Sequence, residues 1–130
     1  MKTEYLELIK KAKDLAKPIE HNRYCKSGYV ASALLDDNNT SYTGVNIDTD
    51  CGLGFCAEHS AIAQMTATRK SKIKAIVAVN HNGKIIPPCG RCRELMYQID
   101  LTNLKSEIII SETEVLLLED LLNHRWQEVK

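Results

Sequence analysis

The sequence carries no excess of charge of either sign. Seventeen lysines and arginines balance seventeen aspartates and glutamates over 130 residues. That balance argues against a nucleic-acid binder, which neutralises phosphates with a basic face or a high pI. It also lacks an apolar run approaching the roughly 20 residues that span a bilayer. The opening residues, Met1 to Lys11, lack the apolar core of a signal peptide. No internal repeat, low-complexity tract or linker interrupts the chain. The expectation is one domain over residues 1–130, large enough to bury its own core, with neither nucleic-acid nor membrane partner. The cytoplasm, where thiols stay reduced, is the expected compartment.

What is present in unusual measure is cysteine, and in an odd number. Five cysteines fit a metal site with spare thiols better than a disulfide framework. Three of them fall in two short stretches, Cys56-Ala57-Glu58 and Pro88-Cys89-Gly90-Arg91-Cys92. Zinc takes thiolates in tetrahedral geometry, and a catalytic zinc keeps three protein ligands and one open position. Cys56, Cys89 and Cys92 are the candidate ligands, and Glu58 is the candidate proton carrier. A four-cysteine structural site that adds Cys51 is the alternative; it leaves Glu58 without a role.

The remaining pattern supplies a scaffold. Tyr5, Leu8, Ile9, Ala12, Leu15 and Ala16 recur at helical spacing over Thr3 to about Lys17, and Pro18 ends the run. His21 to Ser27 reads as loop. Tyr29 to Leu35 and Ser41 to Ile47 read as a hairpin around the turn signal Asp36-Asp37-Asn38-Asn39. Asp48 to Gly54 reads as loop, and Cys56 to about Arg69 as a helix with Cys56 in its first turn. The cations from Arg69 to Lys74 read as a solvated helix end. Ala75 to Asn80 is a buried strand, and Cys89 to about Ile99 a second helix with its cysteines at the N-terminal end. Strands at Glu107 to Ser111 and Val115 to Leu118, then a helical turn to Asn123, complete the chain. Alternating strands and helices define an α/β layered domain. Free N–H groups at both helix starts favour thiolates there.

With CAE at 56–58, PCGRCRE at 88–94 and TGVN at 43–46, the chain resembles the zinc-dependent cytidine deaminases, including the blasticidin-S deaminases. The resemblance covers roughly Gly28 to Tyr97. It implies a three-layer α/β/α sandwich with a mixed sheet of about five strands, one Zn2+ per subunit and a homotetramer. It also implies hydrolytic deamination of a free cytosine nucleoside in pyrimidine salvage. In that reaction zinc hydroxide attacks C4 of cytidine or deoxycytidine, and Glu58 shuttles protons to N3 and the leaving amine.

Site roles carry over residue by residue. Asn46, with Asp48 where the family has glutamate, would hold a ribose hydroxyl. The backbone of Ala57 would bind the pyrimidine carbonyl, and Trp126 would close the site. The arginine that follows CAE in many family members is His59 here. Charge compensation of the three thiolates is therefore expected from Arg91, with His59 second; Arg93 is a further candidate for the sulfurs. Gly28 stands where many cytidine deaminases carry phenylalanine, and Tyr29 to Leu34 resembles the blasticidin-S branch. Two other readings stay open: a blasticidin-S deaminase, and a zinc-stabilised binding module without activity.

Overall fold

The computed structural model describes residues 1–128. Helix α1 (Thr3–Leu15) buries Tyr5, Leu8, Ile9 and Ala12, the stripe expected from their spacing. Strands β1 (Ile19–Asn22), β2 (Cys25–Asp36) and β3 (Ser41–Thr49) follow as two successive hairpins. Next come helix α2 (Ala57–Ala67), strands β4 (Ile73–Asn80) and β5 (Ile85–Ile86), and helix α3 (Gly90–Ile99). Strands β6 (Glu107–Ile109) and β7 (Val115–Leu117) lead into the short helix α4 (Leu118–Leu121).

The stretch His21 to Ser27, expected as loop, is instead most of a tight hairpin between β1 and β2. All four residues of β1 are exposed, so the strand has no buried face and leaves no alternation in the sequence. Likewise Asp48 belongs to β3 rather than to the following loop, paired with Lys26.

The sheet has seven strands, but two are short additions to a five-strand frame. Ser27 pairs with Ile47 on one side and Ile19 on the other, while Ala31 pairs with Val45 and Val79. Strands β1 and β4 therefore share one edge of β2. By the same reasoning β5 and β6 share one edge of β4, giving the frame β3-β2-β4-β6-β7. Only β4 and β6 run parallel, so the sheet is mixed, and α3 lies within the crossover that parallel strands require.

Side chains alternate across this sheet. Ala31, Ala33, Leu35, Ala75, Val77 and Val79 pack against α1. Leu34, Ile76 and Ile108 face the other way, against Ala61, Ile62 and Met65 of α2 and Met96 and Tyr97 of α3. The result is three layers, α1 on one face and α2 with α3 on the other. The α2 layer sits close. An ideal Cβ on Gly44 of β3 would lie 2.4 Å from the Ala61 nitrogen and 2.5 Å from the Ser60 Cβ. Glycine is what lets β3 approach the first half of α2, the half that carries Glu58.

Candidate metal centre and active site

Both cysteine segments end as helix caps. Cys56 and Cys89 are the N-cap residues of α2 and α3, each with extended backbone, and Cys92 sits one turn inside α3, fully buried. The Cys56 Sγ lies 3.6 Å from the Cys89 Sγ, which lies 3.5 Å from the Cys92 Sγ. The three sulfurs fall within 4.8 Å of one another, and among the described residues no fourth metal-ligating side chain joins them. Tetrahedral geometry with Zn–S bonds of about 2.3 Å puts sulfurs roughly 3.8 Å apart. The triad is therefore already spaced for one zinc ion with an open fourth position. Cys51 is exposed and outside the group, so the four-cysteine alternative is not formed.

Burial sets the electrostatics. It pushes the Cys92 thiol far up, with the Glu58 charge adding to the effect, and it pushes Cys56 up as well. At Cys89 burial also opposes ionisation, but hydrogen bonds from the N–H groups of Cys92 and Arg91 and from the Cys92 and Cys56 thiols together outweigh it and hold the thiol down. Thiols this reluctant to ionise together need a cation among them, and metal binding there would release protons. Glu58, in the first turn of α2, is 5% exposed. Burial raises its pKa above the usual glutamate value, which suits a group that must both take and return a proton.

Of the expected compensators, His59 and not Arg91 touches sulfur. The His59 Nδ1 is 3.4 Å from the Cys92 Sγ. Burial, with the Arg91 charge second, holds the imidazole neutral, so Nδ1–H is the tautomer that donates to a thiolate. The Arg91 side chain makes no hydrogen bond or ion pair among the described residues; it lines the cavity instead. Arg93 is turned away from the sulfurs, donating to the Pro88 and Leu121 carbonyls.

The cavity above the triad measures about 370 Å³, enough for a small ligand. It is lined by Cys56, Ala57, Glu58 and Cys89, and across from them by Asn46 and Asp48. These two lie two residues apart on β3 and so face the same side. The Asn46 Oδ1 accepts from the Val30 N–H at 2.9 Å, and its Nδ2 donates to Asp48 Oδ2 at 3.4 Å. The amide orientation is thereby fixed, with the donor end toward Asp48. Val30 and Phe55 also line the cavity. The sequence reading missed both, because apolar lining residues look like core.

Trp126 does not close this cavity within the chain. It is 69% exposed. The reason is the course of the C-terminal segment, which runs along α3: Arg125 stacks over Tyr97, and Gln127 donates to Glu94 at 2.7 Å. Gly28 is fixed by backbone and not by substrate. Its φ is +79°, and a Cβ would lie 2.2 Å from the Lys17 carbonyl oxygen.

Three cysteine thiols spaced for one metal ion and a buried carboxylate beside them, on an α/β/α scaffold, have the chemistry of a zinc site. Residues 2–107 match the family described as the cytidine and deoxycytidylate deaminase zinc-binding region, and the chain belongs to that family. The Cys56, Cys89 and Cys92 cluster is able to hold the one metal ion that such a region binds. The chain is 32% identical over 76 residues to the cytidine deaminase of Mycobacterium tuberculosis, covering 58% of this chain and 56% of that protein. It is 32% identical over 71 residues to the cytidine deaminase of Halalkalibacterium halodurans, covering 54% of each. The match thus spans little more than half the length of these curated relatives. In structure the likeness runs further. The cytidine deaminase of Mycobacterium leprae superposes with a TM-score of 0.76 at 27% identity, over 94% of this chain and 99% of that one. That of Burkholderia pseudomallei gives 0.71 at 25% identity, over 97% and 100%.

Proposed function

We propose that the protein hydrolyses the exocyclic C4–N bond of a free cytosine nucleoside, cytidine or deoxycytidine, releasing ammonia and the uracil nucleoside. The observation that carries this reading is the buried Glu58 carboxyl beside the three-thiol cluster, at the base of a nucleoside-sized cavity. Zinc held by Cys56, Cys89 and Cys92 supplies Lewis acidity, which makes water a nucleophile near neutral pH. Glu58 takes one proton from the attacking water and gives it to N3, then takes the second from the new C4 hydroxyl and passes it to the leaving amine. The Ala57 N–H, unpaired at the start of α2, is available to the pyrimidine carbonyl. Asn46 and Asp48 offer one donor and one acceptor to a sugar hydroxyl. His59, as a neutral donor, offers a hydrogen bond to the Cys92 sulfur, and Arg91 supplies the positive charge nearby.

The same reading includes a cytoplasmic enzyme of pyrimidine salvage that works as a homotetramer, with Trp126 at a subunit boundary; its exposure supports that role. A second reading, a blasticidin-S deaminase, is favoured by the segment Tyr29 to Leu34, which resembles that branch and whose Val30 lines the cavity.

The test is a side-by-side steady-state assay of zinc-loaded protein on cytidine, deoxycytidine and blasticidin S, followed by loss of cytosine absorbance. Preference for the plain nucleosides supports the first reading, and preference for blasticidin S the second. Zinc-bound protein inert on all three would return the non-catalytic binding module.

A further inference from the structure

Two consecutive prolines, Pro87 and Pro88, precede the ligand Cys89. Neither has an N–H, so neither can be held by donating a hydrogen bond. Cys89 itself is the N-cap of α3, and its carbonyl accepts the first helical bond, from the Arg93 N–H at 3.0 Å. Upstream of that bond the Pro88 carbonyl is the next backbone group that can be held, and a single side chain grips it. The Arg93 Nε donates to the Pro88 oxygen at 2.7 Å. From the other end of the same planar group, Nη1 donates to the Leu121 oxygen at 3.1 Å.

Leu121 is a firm anchor. It ends α4, whose first residue Leu118 is fully buried and donates its N–H to the Ser106 carbonyl at 3.0 Å. Among the described residues no carboxylate pairs with Arg93, so no ion pair draws the guanidinium away from the two carbonyls. The guanidinium is rigid and can hold two carbonyls at a fixed separation, which an ammonium cannot.

We infer that Arg93 is a positioning residue of the metal centre: it ties the Pro88–Cys89 junction to α4 and so fixes where the Cys89 thiolate stands. This rests on the zinc-site reading but assigns a role to a side chain that touches neither metal nor substrate. Losing such a tie should weaken metal affinity in the range seen for groups that orient ligands, about 10–100-fold.

The experiment compares wild type, Arg93→Ala and Arg93→Lys as full-length zinc proteins. Zinc affinity is read by chelator competition, and ligand geometry by the thiolate-to-metal absorption of the cobalt-substituted protein. Arg93→Ala is expected to bind zinc at least 10-fold more weakly with an altered cobalt spectrum. Arg93→Lys, which keeps the charge but reaches one carbonyl, should fall between. If Arg93→Ala does not fold, Arg93→Lys and Arg93→Gln read the same quantities. Zinc affinity within two-fold of wild type and an unchanged spectrum, whatever the loss in Tm, would overturn the inference. A wild-type protein that binds no zinc would instead sink the site reading on which it rests.

Discussion

Replacing Gly44 with alanine tests how the scaffold sets the chemistry. The new Cβ would lie 2.4 Å from the Ala61 nitrogen and 2.5 Å from the Ser60 Cβ. Both neighbours belong to α2, and the closer is backbone, so no rotamer change relieves the clash. Reaching ordinary contact near 3.5 Å requires α2 to withdraw from β3 by about 1 Å. Overpacking of this kind costs about 1–3 kcal/mol, equivalent to a fall in Tm of roughly 3–12 °C for a domain of this size. The functional cost should be larger. Cys56 caps the displaced helix and Glu58 lies in its first turn, while Asn46 stays on β3. A displacement near 1 Å between such groups can cost about 100-fold in turnover. The assay pairs steady-state kinetics on the preferred nucleoside with thermal unfolding. Adding Ser60→Gly removes one of the two clashes and should restore stability only in part. Gly44→Ala with turnover within two-fold of wild type and an unchanged Tm would refute the claim that this approach positions the site.

Glu58→Gln keeps the shape of the side chain but removes the proton acceptor; turnover should fall by at least about 100-fold with one zinc per chain retained, measured by kinetics and metal analysis. Cys92→Ser should abolish tight zinc binding, whereas Cys51→Ser, altering an exposed thiol outside the cluster, should leave stoichiometry at one; equal loss in both would contradict the three-ligand site. The Asp100 carboxyl accepts from the Thr102 hydroxyl and N–H and from the Ser71 hydroxyl, and these bonds, the Thr102 ones foremost, hold its pKa below the ordinary value. A group depressed in the folded state adds stability above its unfolded pKa and loses it as pH falls through the folded one. Asp100→Asn should therefore lower stability near neutrality, with the difference from wild type shrinking as pH falls below the ordinary aspartate range, read from urea unfolding at a series of pH values.

The helices that carry the site were legible because their residues obey local rules. The α1 stripe repeats at helical spacing, and the cysteine pairs occupy positions that only a helix start makes useful. The central strands β2 and β4 were legible as apolar runs. Strand β1 was not, since a strand exposed on both faces has no alternation to read. The contact of His59 with the Cys92 sulfur was not legible for a geometric reason: sequence gives the charge of a side chain but not which of two neighbours reaches the sulfur. Arg93 was misassigned in the same way, because its partners are backbone carbonyls from Pro88 and from α4, which any residue could provide. Trp126 depends on the path of the last turn along α3, which is set by tertiary contacts from Arg125 and Gln127.

The two cysteine caps are 33 positions apart in the chain, and a single metal ion bound between their sulfurs would join them. Such a link removes conformations from the unfolded chain much as a covalent bridge does, worth about 4 kcal/mol for a loop of that length. That is a large share of the stability of an ordinary domain. Unlike a disulfide, this link can be withdrawn without redox chemistry. Metal supply would then govern the lifetime of the protein as well as its catalysis: a chain starved of zinc opens more often, and becomes a target for proteolysis before it persists as an idle enzyme.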